Sequence, residues 1–135
     1  MIAAIIGISL GIFLVVLFEV LKSFDKQFIY GLILTGIGFL YIGYTWSNRE
    51  SLIINSTQAV FFLILAYYSI KRNVYILAIG YFLHGSWDFA YDYLEQPDLI
   101  PPHYDWFCLF VDFTIGIYLL IFAKRIKSKI EIRTI

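Results

Sequence analysis

Residues 2–21 read IAAIIGISLGIFLVVLFEVL, twenty positions with Ser9 and Glu19 as the only breaks in an apolar run. At a rise of about 1.5 Å per residue such a run makes a helix about 30 Å long, the thickness of a bilayer's hydrocarbon core. It starts directly after Met1 with no basic leader. It is also longer than a signal-peptide core and lacks a small-x-small cleavage site before Lys22, so it reads as a retained span.

Four more runs of similar length follow, at residues 28–46, 52–70, 74–94 and 105–123. The chain is therefore expected to be an all-α integral membrane bundle of five transmembrane helices. Residues 1–123 would form one membrane domain, and residues 124–135 a basic tail. Composition agrees: of 135 residues, 61% are hydrophobic and only 15% charged, against roughly half and a quarter in soluble domains.

The ten Lys and Arg residues are unevenly placed. Five spans put Lys22, Lys26, Lys71, Arg72, Lys124, Arg125, Lys127, Lys129 and Arg133 on one side and Arg49 alone on the other. Cytoplasmic loops carry the excess of cations, so the N-terminus is expected outside and the tail in the cytoplasm of a cell-membrane protein. Four or six spans would scramble this asymmetry. Trp46, Trp87, Trp106 and several tyrosines fall near the outer interface, and Phe24, Phe28, Tyr67 and Tyr68 near the inner one, as in an aromatic belt.

Within the bilayer, Ala3, Gly7 and Gly11 recur every fourth residue and let another backbone approach, either within the chain or between copies. Five short helices enclose little volume. A homo-oligomer or a membrane partner is therefore expected, together with the lipid bilayer itself.

The polar residues inside the spans are the informative exception. On span four, His84, Asp88 and Asp92 stand at i, i+4 and i+8 and share one helical face; on span five, Asp105, Cys108 and Asp112 do the same. Counted from the outer ends, Asp88 and Asp112 are level, roughly 9 to 11 Å below the outer surface, with His84 one turn deeper. Gln58 on span three reaches a similar depth, with Asn55 a turn above it. His84, Asp88, Asp112, Gln58 and Asn55 are thus candidates for one outward-facing ligand-binding pocket, with Asp92 at its entrance.

A charged residue at mid-helix costs about 2.5 to 3.5 kcal/mol on insertion scales, which makes function the default reading. Three resolutions compete. A divalent metal ion held by His84, Asp88 and Asp112 would neutralise both carboxylates. The two aspartates could instead share a proton. In the third, His84 satisfies them as structural glue between spans four and five. His103 adds a second imidazole if the outer loop, stiffened by Pro97, Pro101 and Pro102, folds inward. Elsewhere, Glu19 is expected to pair with Lys22, and Thr35, Thr57 and Ser69 to bond to their own helices.

Several classes drop out. Zero formal net charge removes the case for a nucleic-acid partner. The single cysteine, Cys108, excludes an intramolecular disulfide. No lysine within a span offers a Schiff base, one in-span histidine cannot make a bis-histidine haem, and no phosphate loop, His-Glu-x-x-His or Gly-x-Ser-x-Gly motif is present. The remaining readings are a binding protein for a small ligand or ion, such as an oligomeric transporter or accessory subunit, a metal-dependent enzyme acting on a lipid or lipid-soluble substrate, and a structural helper packing through the glycine stripe.

His84-Gly85-Ser86-Trp87-Asp88, followed on the next span by Cys108-x-x-x-Asp112, resembles a pattern in small bacterial multi-pass membrane proteins of unknown function. The resemblance covers residues 80–116. It implies a bundle of hydrophobic helices and no particular activity.

Overall fold

The computed structural model describes residues 1–94 and 100–134, the side chains of Asp92, Leu94, Ile130, Arg133 and Thr134 excepted. Five helices run in order: α1 (Ile2–Val20), α2 (Lys26–Tyr44), α3 (Arg49–Arg72), α4 (Val74–Leu94) and α5 (Tyr104–Thr134). No strand occurs among the described residues.

The breaks lie where short polar side chains take over an orphan helix N–H. Asp25 accepts from the Phe28 N–H at 3.1 Å, Asn48 from that of Ser51 at 3.1 Å, and Asn73 from that of Tyr75 at 3.1 Å. Before α5, Pro101 accepts from the Tyr104 N–H, and His103 turns the chain with φ 64°, in the left-handed region.

Four helices are long and apolar enough to cross a membrane: α1, α2, α3 and the Tyr104–Lys129 part of α5. Of the five expected spans, α4 does not meet that standard of length and composition. The reason is local, since α4 carries His84, Asp88 and Asp92 in 21 residues. A second difference concerns the tail. The basic segment from Lys124 is not a separate appendage, because α5 continues through it to Thr134. No Gly or Pro interrupts it, and cations suit a helix C-terminus.

The surface is inverted relative to a water-soluble bundle. Ile5, Phe13, Leu32, Ile53, Phe61, Ile64, Ile117 and Ile121 are exposed, while Asn55, Thr45, Ser69, His84, Asp88 and Asp112 are buried. Large apolar side chains thus face outward while polar ones are turned inward.

α4 and α5 share the most extensive contact, followed by α2 with α3 and α1 with α5. The glycine stripe of α1 is used within the chain: a Cβ on Gly7 would lie 2.5 Å from the Phe107 carbonyl oxygen, and one on Gly11 2.8 Å from the Thr114 Cβ. Gly7 and Gly11 are therefore occupied by packing against α5. Gly36 and Gly43 on α2 face open space.

An apolar core of Tyr30, Leu34, Ala66, Leu77, Tyr81, Ile115 and Leu119 fills the half toward the basic end. At that end Glu19 binds Lys26, the Tyr118 hydroxyl and Arg125. The pairing expected from chain proximity was with Lys22. The helices instead bring in charges from residues far along the chain. Gln27 ties α2 to α3 by donating to the Ser69 and Ile70 carbonyls. Thr35, Thr57 and Ser69 donate to their own helices, as expected. The half of the bundle toward Arg49 holds the polar residues.

Candidate functional site

His84 and Asp88 are one turn apart on α4, and both point into the bundle at 0% exposure. Asp112 on α5 meets them at 1% exposure. Gly85 makes the approach feasible: a Cβ there would lie 3.3 Å from the Asp112 Cβ and 3.0 Å from the Phe113 ring. His84 Nδ1 stands 2.7 Å from Asp112 Oδ2 and 3.3 Å from Asp88 Oδ2. One nitrogen therefore bridges carboxylates from two helices. The edge of the Phe62 ring lies against the imidazole, with centroids 4.8 Å apart, and Tyr41 flanks it at 6.4 Å.

The hydrogen bonding is incomplete. The Nδ1 position is used by Asp112, and neither oxygen of Asp88 makes a hydrogen bond, although the Tyr41 side chain lies alongside. His84 Nε2 has no partner either. Buried polar groups are nearly always hydrogen-bonded, and each exception asks for a reason. Apart from the Tyr30 hydroxyl at the opposite end, the unpartnered atoms gather in one half of the bundle, where the Gln58 amide, Asn55 Oδ1 and Trp87 Nε1 join them.

Ligand atoms of His84, Asp88 and Asp112 all lie within 4.8 Å of one another. Atoms on opposite sides of a first-row divalent ion, each about 2.1 Å from it, are about 4.2 Å apart, so one ion fits the trio with sub-ångström adjustment. One imidazole with two carboxylates is a donor set suited to manganese, iron or zinc.

A cavity of about 50 Å³ leads to Asp88. It is lined by Tyr41, Tyr91, Asp105 and the segment Ile100, Pro101, Pro102 and His103. It has room for water or a bare ion and none for an organic molecule. Residues 100–103 thus line the cavity beside Asp88, His103 among them.

The other expected residues are dispersed around this centre. Asn55 donates to the Ser51 carbonyl at 2.9 Å and to the Tyr91 hydroxyl at 3.1 Å, which places it behind a wall of the cavity. Gln58, a turn before Phe62, lines a different groove between α3 and α4. Cys108 is buried near Asp88 and Tyr104. The side chain of Asp92 and residues Glu95 to Leu99 lie outside the described residues. The residues missed from the sequence are Tyr41 and Tyr91. Tyr41 was legible in principle, since Tyr30, Leu34, Gly38, Tyr41 and Thr45 form a buried stripe at helical spacing.

Fold and site together define an all-helical protein with an apolar exterior around a buried His–Asp–Asp cluster. The chain belongs to the family of unknown function DUF6010, whose model matches residues 2–125, far beyond the segment 80–116 that carried the sequence resemblance. No curated protein and no solved structure matches it.

Proposed function

We propose that this chain is a five-span membrane protein that binds a small cation, a divalent metal ion, at His84, Asp88 and Asp112. The supporting observation is Asp88, a fully buried carboxylate with no hydrogen bond, standing beside a second carboxylate at the foot of a water-sized cavity. An ion there neutralises both acids and gives the Asp88 oxygens a bond beyond their 3.3 Å contact with His84 Nδ1. The cavity's size argues against the larger ligands considered from sequence.

α4 completes the set of spans. It is 21 residues long, about 31 Å, and sits between α3 and α5. His84 and Asp88 face inward, while Ile79, Leu83 and Phe89 cover the outer face. Its low hydropathy thus reflects the site and not contact with water. The cation-rich end, formed by the α1–α2 turn, the α3–α4 turn and the end of α5, lies in the cytoplasm of a cell-membrane protein. The cavity mouth at His103 and Asp105 then opens outward.

The test is metal content after purification in detergent, followed by titration of chelator-treated protein with manganese, iron and zinc. Near-stoichiometric uptake that raises thermal stability, and that Asp112→Asn abolishes, is the expected result. Protein that neither retains nor takes up any of the three overturns the metal reading.

The bridging position of His84 Nδ1 favours one alternative, in which the cation is a proton held between the two acids. That reading requires metal-free protein whose thermal stability depends on pH in the wild type and loses that dependence in Asp88→Asn/Asp112→Asn.

A further inference from the structure

We propose that the cavity at the basic end, between the α1–α2 turn and the extension of α5, seats the phosphate of an anionic phospholipid. The inference rests on the membrane reading above but not on the metal site.

The cavity measures about 290 Å³ and is lined by Lys22, Lys26 and Lys129 together with Phe24, Ile126 and Ile132. Its two kinds of wall suit two parts of one molecule. Ammonium groups donate to phosphate oxygens, and the rings and branched chains form an apolar wall where glycerol meets acyl chain. One carboxylate, that of Asp25, also lines it, and it already accepts from the Phe28 N–H as the N-cap of α2. Glu19 nearby is bound to Lys26 and Arg125. Four cations against two carboxylates leave the pocket positive.

Position adds a second argument. α5 has 31 residues, about 46 Å, which exceeds the roughly 30 Å hydrocarbon core by several turns. With Tyr104 at the opposite interface, Lys129 and Ile132 fall at headgroup depth. The overlength of α5 thus builds one wall of the cavity at the level where phosphates lie, and the α1–α2 turn supplies the other. Lys22 and Lys129 are exposed, so their ammonium groups reach the lipid without unpacking the bundle.

The experiment uses the full chain purified in neutral detergent, with phosphatidylglycerol, phosphatidylcholine or inorganic phosphate added separately. Thermal unfolding and native mass spectrometry are the readouts. Phosphatidylglycerol is expected to be retained and to raise the unfolding midpoint, with phosphatidylcholine and inorganic phosphate giving little. In Lys22→Ala/Lys129→Ala the response is measured from the variant's own lipid-free midpoint. The preference for phosphatidylglycerol falls roughly thirtyfold, the factor that two basic residues near a membrane surface carry. Equal response to the neutral lipid, equal response to free phosphate, or an undiminished preference in the variant overturns the proposal. A chain that is soluble without detergent overturns the membrane reading itself. A detergent-extracted chain indifferent to headgroup overturns only the lipid site.

Discussion

Replacing His84 by Leu keeps the side chain's approximate volume and deletes the only group between two buried carboxylates. Asp88 and Asp112 present ligand atoms within 4.8 Å of each other, with side chains at 0% and 1% exposure. Two unit charges at that distance repel by about 3.5 kcal/mol at an effective dielectric of about 20. Breaking a buried ion pair typically costs about 3–5 kcal/mol, in line with this. In an Asp88→Asn/Asp112→Asn background the same change removes neither neutralisation nor repulsion, and it should cost only about 1 kcal/mol, as volume-conserving core changes do. The coupling between His84 and the acids is then about 3 kcal/mol, roughly a 150-fold change in the folded-to-unfolded ratio. Reversible unfolding in detergent, followed by circular dichroism on chelator-treated wild type, the single, the double and the triple variant, measures it. Equal cost of His84→Leu in both backgrounds would refute the electrostatic account and leave His84 as packing alone.

Three further outcomes follow from packing and hydrogen bonding. Gly7→Val places carbon 2.5 Å from the Phe107 carbonyl oxygen, where backbone cannot yield, and should lower stability by about 1–3 kcal/mol. Gly36→Ala meets nothing within 4 Å and should be neutral or stabilising by up to about 1 kcal/mol; thermal melts of the pair decide. Asn55→Ala strands the buried Tyr91 hydroxyl, its partner at 3.1 Å, and should cost about 1–3 kcal/mol in the same assay.

The trio His84, Asp88 and Asp112 was legible because helical spacing fixes which residues of one helix share a face, and matching depth from the same interface then levels Asp88 with Asp112. Both arguments use only the helix rise. The helical architecture, α4 included, was legible for the same reason, although hydropathy averages over a helix and cannot tell an inward aspartate from an outward one. What spacing cannot supply is the identity of a partner on another helix. Glu19 meets Lys26, Tyr118 and Arg125, and Asn55 meets Tyr91 thirty-six residues on. Tyr41 looked like any other ring in a chain that is 20% aromatic, and only the fold turns it toward Asp88. The lysine-lined cavity needed the full length of α5, which the apolar run through Ala123 understates.

α1 rests chiefly on α5, through Gly7 against Phe107 and Gly11 against Thr114. The first segment synthesised therefore finds its main seat only on the last. A chain lacking α5 would strip Gly7 and Gly11 of the surfaces they rest on and leave α1 held only at its end, through the Phe18 ring against Tyr30 and Glu19 with Lys26.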